Sequence, residues 1–353
     1  MLDLILPVAG VWINLGAVAG VGLLIGFVSG LFGIGGGFLM TPILIFLGVP
    51  PAIAVATGSA QLVASATFSA AVASRQRTID PKLSLYLIAG ALTGTVIGIG
   101  IFNLLSKVGR LDAVIGTAYV ILLGTVGGLM LKESLTALQT GQADSLAAPA
   151  ENAVQRWLKT MRMRREFPRL GVTISLVPLI VVSLLIGIIG TVLGVGGGFM
   201  FVPALIYLFG LPIRSAVAAS QVQILITMVA ATLLHAVFNH AIDVVLALPL
   251  ILGGVFGAHL GTQAGRYIKG VQFRLALALL ILLVAARFLY SLINAVLTHA
   301  EAGQVAKISL AALPAWEGWI AVQADQNGMI YGLSTVVIAL TCGYMGARLF
   351  DRD

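Results

Sequence analysis

The residues of this 353-residue chain that could do chemistry are few, and they come in pairs. Two glycine triplets, Gly35-Gly36-Gly37 and Gly196-Gly197-Gly198, interrupt apolar runs and precede new ones. Glycine lets the backbone turn and removes side chains that would block a ligand. The first N–H groups of a helix starting there lack intrahelical partners and sit at the positive end of its dipole. Such a start is a ready anion site. Pro42 and Pro203 follow a turn or more further on and loosen the same helices. The competing reading of one triplet is close helix packing without a ligand; the symmetric pair favours a site. Two polar strips accompany the triplets: Thr57, Ser59 and Gln61, then Ser220, Gln221 and Gln223. Hydroxyl and amide donors suit a weakly basic oxyanion, and they avoid the desolvation cost of a buried salt bridge. Interhelical hydrogen bonding is the alternative for each.

Depth brings triplet and strip together. The chain reverses at Val49-Pro50. Gly37 lies about 12 residues before that turn and Gln61 about 12 after, which is roughly 18 Å of helix on each side. That is near the middle of a ~30 Å hydrocarbon core. Leu211-Pro212 does the same for Gly198 and Gln223.

The ionisable candidates are weaker. Asp80 and Asp243 occupy equivalent positions at helix starts, where capping competes with proton coupling. His235 and His259 fall in apolar runs, so each is a proton-relay candidate or a packed histidine. Arg287 lies within a span and reads as a functional, snorkelling or structurally paired cation. His235 and His240 lack a metal-binding spacing, and no carboxylate cluster supports them. The single cysteine, Cys342, excludes a disulfide framework and any multi-cysteine metal site. No metal or cofactor is expected. Gly58-Ser59 with His259-Leu260-Gly261 hints faintly at an intramembrane serine hydrolase, but the repeat described below gives no reason for such a pair.

The elements that must position these residues follow from composition. Fifty-nine per cent of the chain is apolar and 9% charged, against roughly 25% charged in soluble domains. That excludes a water-soluble enzyme and a disordered chain. It leaves an all-α integral membrane protein, since the runs are continuously apolar rather than alternating. Apolar stretches fall near 16–34, 36–48, 51–74, 82–105, 111–131, 172–194, 197–210, 213–238, 244–266, 271–293 and 328–349. The net charge of +7 does not point to nucleic acid, because 11 of the 33 charged residues crowd between Lys132 and Arg169. A basic loop between apolar blocks is a topology signal. Met1-Leu2-Asp3 lacks the basic start of a signal peptide, so the first apolar block is expected to be retained. The expected organisation is a first transmembrane repeat (1–132), a basic linker (133–170), a second repeat (171–293), an outer loop (294–327) and a C-terminal helix (328–353). Val154 to Met163 reads as a basic surface helix or as solvated linker.

The halves repeat in order. Gly33-Ile34-Gly35-Gly36-Gly37-Phe38 corresponds to Gly194-Val195-Gly196-Gly197-Gly198-Phe199, and Pro42 to Pro203. Ala54-Val55-Ala56 corresponds to Ala216-Val217-Ala218, Gln61 to Gln223, and Ile79-Asp80 to Ile242-Asp243. Gly90, Gly94 and Gly98 match Gly253, Gly257 and Gly261. With the linker in the cytoplasm and five segments per half, 16 of the 20 Lys and Arg lie inside. The halves then have opposite orientation, each with Gly-broken or re-entrant helices. Inverted repeats of this sort are typical of secondary transporters, with the site between them.

The twin Gly-x-Gly-Gly-Gly-Phe-x3-Pro blocks, each followed by a reversal and an Ala-Val-Ala strip, resemble the TauE/SafE sulfite exporter family of membrane permeases. The resemblance covers about 26–131 and 187–293. It implies a bacterial inner-membrane carrier of sulfur-containing anions such as sulfite or organosulfonates; the charge bias puts linker and C-terminus on the cytoplasmic side. The implied partners are a small anionic substrate and the lipid bilayer, with no nucleic acid; a homo-oligomer is left open. The long insertion 133–170 and the segment 294–327, with Trp316 and Trp319, depart from the family pattern. The expected mechanism is alternating access in the direction of export. An anion channel or a membrane anchor subunit is the alternative.

Overall fold

The computed structural model describes residues 3–32, 35–75, 78–140, 155, 163–167, 170, 172–264, 271–297 and 328–349. Eleven helices appear among them: α1 (Leu15–Phe32), α2 (Gly37–Phe46), α3 (Pro51–Arg75), α4 (Pro81–Lys107), α5 (Leu111–Thr140), α6 (Leu176–Leu193), α7 (Gly198–Tyr207), α8 (Ile213–Asn239), α9 (Val244–Ala264), α10 (Val271–Leu297) and α11 (Gly328–Leu349). Seven stretches are long and apolar enough to cross a membrane: Pro51–Arg75, Pro81–Lys107, Leu111–Thr136, Leu176–Leu193, Ile213–Asn239, Val244–Ala264 and Leu275–Ile293. Large apolar side chains such as Ile121, Leu129 and Leu283 stand exposed on these helices. In water that would be costly; against hydrocarbon it is not. The fold is that of an all-α integral membrane protein.

Helix ends follow local chemistry. Pro81 opens α4, where its missing N–H costs nothing. Asp80 caps the same helix, its Oδ1 accepting from the N–H groups of Lys82 and Leu83, both at 3.0 Å. α2 and α7 have ten residues each, about 15 Å of helix, half the ~30 Å of a hydrocarbon core. α5 continues past Lys132 to Thr140, carrying a span into the segment expected to be linker.

Two short hairpins were not expected. β1 (Asp3–Ile5) pairs antiparallel with β2 (Trp12–Asn14) directly before α1. β3 (Arg164–Phe167) pairs antiparallel with β4 (Val172–Ser175) directly before α6. Both tuck apolar side chains inward: Leu6, Ala9 and Ile13 in the first, Phe167 and Ile174 in the second.

The helices pack crosswise between the halves. α1 lies against α9 in the same direction, Gly22 on Leu250, Gly26 on Gly254 and Gly30 on Ala258. α4 lies against α6 in the same manner, Gly90 on Ile180 and Ser183, Gly94 on Leu184, and Gly98 on Ile188. At Gly26 a Cβ would run into the backbone of Gly254, so the two helices touch main chain to main chain. Such proximity needs small residues. α3 and α8 run antiparallel: Ser59 Oγ is 3.0 Å from Thr232 Oγ1, while Leu62 meets Ile224 and Met228 around Gly196. α5 and α10 are also antiparallel, with Gly116 on Leu292, Tyr119 stacked on Phe288 at 5.3 Å, and Gly127 on Ile281. Every pairing has a counterpart with the halves exchanged. α11 packs on α3 and α9 through Gly343 and Gly346.

Several expectations fall outside the described residues: most of the Val154–Met163 segment, Trp316 and Trp319 of the outer loop, and the extreme C-terminus.

Candidate functional site

Both half-helices begin in the centre of the molecule. α2 starts after Gly36 and α7 after Gly197, and neither start has a side-chain cap. Gly36 O accepts from the N–H groups of Leu39 and Met40, and Gly197 O from those of Met200 and Phe201. The N–H groups of Gly37 and Phe38, and of Gly198 and Phe199, have no carbonyl within their own helix to bond. All four residues are buried. Helix starts left bare inside a protein demand a partner.

The two starts adjoin. A Cβ on Gly37 would sit 2.5 Å from Val195 O and 2.6 Å from Leu62 Cδ1. The rings of Phe38 and Phe199 lie 5.1 Å apart. Gly35, Gly194, Gly196 and Gly197 all have positive φ, between 66° and 76°. Only glycine takes that backbone freely, and it turns α6 sharply into α7. Gly194 is the left-handed C-cap of α6. Tyr119 Oη donates to Leu193 O at 2.7 Å and steadies that turn. The side chains against the triplets, among them Ile25, Ser29, Leu62, Ile224, Met228 and Ile186, are uncharged.

α3 and α8 bring the polar strips alongside. Leu62 touches both Gly37 and Gly196, and Ile224 touches both Gly35 and Gly196. Their chain neighbours Gln61 and Gln223 are buried, 1% exposed each. Gln61 Nε2 donates to Ser65 Oγ at 2.8 Å, and Gln223 Nε2 to Thr227 Oγ1 at 2.9 Å. Both Oε1 atoms lack a hydrogen-bond partner. The Gln61 amide lies on Gly254 of α9, where a Cβ would displace it. Ser65 and Thr227 were missed in the sequence. The signal was present: both follow their glutamine by four residues, one helical turn.

The remaining polar candidates are tied into the fold. Thr57 Oγ1 accepts from Asp243 N–H at 3.0 Å. Ser59 donates to Ala56 O and pairs with Thr232. Ser220 Oγ donates to Val217 O at 2.8 Å, and Gln221 is buried on the same helix. Asp243 caps α9 through Leu246 N–H at 3.2 Å, and its Oδ2 also takes the N–H groups of Val8 and Ala9 in the first hairpin. Burial pushes the Asp243 carboxyl up, against the pull of those N–H groups. His235 Nδ1 is 2.8 Å from Asn239 Nδ2, its ring edge-on to Phe102, and its Nε2 has no partner. His259 pairs with Gln263 and packs on Phe68. Phe68 is nine residues beyond Ser59 on α3, about 13 Å along the helix, so Ser59 and His259 form no dyad. Arg287 stands over the Phe46 ring at 5.4 Å and beside Tyr290. It lies away from the helix starts. Among the described residues, no group of three or more His, Cys, Asp or Glu could hold a metal ion.

Comparison with known proteins gives this arrangement a lineage. Residues 18–288 match the sequence profile described as Sulfite exporter TauE/SafE. The chain is 24% identical over 277 residues to "Probable membrane transporter protein YunE" of Bacillus subtilis, covering 76% of this chain and 95% of that one. It is 28% identical over 243 residues to "Probable membrane transporter protein YjnA" of the same organism, covering 69% and 87%. A shorter match, 34% over 95 residues, joins 27% of this chain to 20% of "Sulfite exporter TauE/SafE family protein 3" of Arabidopsis thaliana. No solved structure matches. The chain belongs to the TauE/SafE sulfite exporter family, and it is a multi-pass membrane transporter rather than an enzyme.

Proposed function

We propose that the protein is a secondary carrier that exports small sulfur-containing anions, such as sulfite or organosulfonates, across the bacterial inner membrane. One observation carries the proposal: two buried, uncapped half-helix starts meet at the centre of the fold. Their N–H groups and dipoles would hold an anion without a cationic side chain. The same placement, half-helices broken at the midplane between two repeats, recurs in secondary transporters. The antiparallel packing of α3 on α8 and of α5 on α10 supports repeats of inverted topology. The halves would rock about the central site, with the basic linker and C-terminus on the cytoplasmic side.

Efflux needs no coupling ion, since an inside-negative potential drives an anion outward by about 2.3 kcal/mol per charge per 100 mV. Import would require protons or sodium. Asp243, Asp80 and His235 would then be the first groups to test, although both aspartates already serve as helix caps. The direct test is efflux of labelled sulfite from proteoliposomes. Gln61→Ala combined with Gln223→Ala is expected to lower flux at least about tenfold, from two lost polar contacts. Flux equal to the unaltered protein would rule out this site.

A further inference from the structure

We infer that the central site selects an anion that also carries a hydrogen-bond donor, such as a protonated oxyanion or a hydroxy- or amino-sulfonate. The inference rests on reading the twin helix starts as the substrate site. Those starts offer donors alone, which match the anionic oxygens of a ligand.

The glutamines offer the opposite. Gln61 Oε1 and Gln223 Oε1 are buried acceptors with no partner, at equivalent positions of the two halves. A repeated unsatisfied carbonyl needs an explanation, since buried polar groups are nearly always bonded. Amide orientation could be arbitrary in principle, but the neighbouring hydroxyl decides it. Thr227 has one hydroxyl proton, and Gln223 O lies 2.9 Å from Thr227 Oγ1 to accept it. The hydroxyl oxygen is then an acceptor, so Gln223 must present Nε2 to it at 2.9 Å and turn Oε1 elsewhere. Gln61 Nε2 likewise donates to Ser65 Oγ, at 2.8 Å. The Gln61 amide lies between α3 and Gly254, which rests on Gly26; the neighbouring Ile25 touches Gly36 at the start of α2. Leu62 and Ile224, one residue beyond the two glutamines, lie on Gly37, Gly35 and Gly196, so both amides share the level of the helix starts to within about 1.5 Å of helical rise.

A ligand with only acceptor atoms would set its lone pairs against these two carbonyls. One that brings an O–H or N–H satisfies them while its anionic oxygens take the helix N–H groups. Ser65 and Thr227 are thus positioning residues: they set the polarity that the glutamines show the ligand.

The test uses two sulfonates of equal charge, ethanesulfonate and 2-hydroxyethanesulfonate, binding to the purified full-length protein in detergent by calorimetry. The hydroxylated ligand should bind about tenfold more tightly, the size of one net hydrogen bond. In the Ser65→Ala, Thr227→Val double variant the preference should fall below about threefold, because the amides are free to rotate. Equal affinity for both ligands in the unaltered protein overturns the inference and leaves the site intact. A preference that survives the double variant overturns the assignment to these hydroxyls. Binding of neither ligand overturns the reading of the helix starts on which the inference rests.

Discussion

The two seams that join the halves are built on the same plan with different residues. Along α1 and α9, Gly22, Gly26 and Gly30 lie on the backbone of Leu250, Gly254 and Ala258, while Gly253, Gly257 and Gly261 lie on that of Ala19, Leu23 and Phe27. Along α6 and α4 the counterparts are Ser183, Gly187 and Thr191 against Gly90, Ala91, Gly94 and Gly98. At these seven equivalent positions the first seam has glycine throughout, whereas the second has glycine at four and Ser183, Thr191 and Ala91 at the others. Where a glycine faces bare backbone, nothing can rotate out of the way. The first seam is therefore rigid and intolerant. The second has side chains at its edges that can adjust. Equivalent backbone geometry does not imply equal tolerance.

Breaking both seams at a backbone-to-backbone contact should show what they share. Gly26→Leu and Gly187→Leu each drive a side chain into facing backbone. Each should cost about 3 kcal/mol or more, at or beyond the usual overpacking range. Loss of monodisperse protein on size exclusion would be the readout. Exchanging their residues should then separate them. Gly30→Thr puts the second seam's threonine where a Cβ would strike Ala258 backbone. It should cost roughly 2–3 kcal/mol, whereas Thr191→Gly should cost only about 1 kcal/mol, partly from helix propensity and partly from the packing its side chain loses. Melting can be followed with a thiol dye at Cys342, the single cysteine, which is partly buried on α11. Equal shifts for the two variants would refute the difference between the seams.

Gly254→Ala makes the first seam resemble the second, which has Ala91 at that position. Its methyl would displace the Gln61 amide. Stability should fall by about 1–2 kcal/mol, and transport should fall further than stability accounts for. The smallest effect concerns the helix start at Asp243. Thr57→Val removes the acceptor of Asp243 N–H and should cost about 1 kcal/mol. The equivalent residue is Ala219, which has no hydroxyl to lose. Thr57→Ser keeps the hydroxyl, so it should cost less than Thr57→Val. The same melting assay distinguishes the pair.

Much of the candidate site could be read from residue order, and the reason is instructive. Gly35–Gly37 and Gly196–Gly198 announce themselves because three consecutive glycines break an apolar run. Gln61 and Gln223 stand out because an amide is expensive in a hydrocarbon setting. The hydroxyls of Ser65 and Thr227 were overlooked because serine and threonine are ordinary in membrane helices, where they bond their own backbone. Thr227 does so, and it holds a glutamine as well. The hairpins at 3–14 and 164–175 escaped notice because three- and four-residue strands leave almost no alternation to detect. Asp80 and Asp243 were rightly paired as helix starts, but the grip of Asp243 on Val8 and Ala9 spans 234 and 235 residues of sequence.

By itself the sequence determined that this is a membrane protein, that its halves repeat, and where its helices break. Composition and a constant offset are one-dimensional properties, so they need no fold to be seen. Only the tertiary structure decided which glycine row meets which. A glycine row records that some backbone comes close, but a missing side chain carries no complement to name its partner. The same holds for the glutamines. Their presence was visible in the chain, yet the direction in which each amide points depends on a hydroxyl one turn away and on the helices that enclose both.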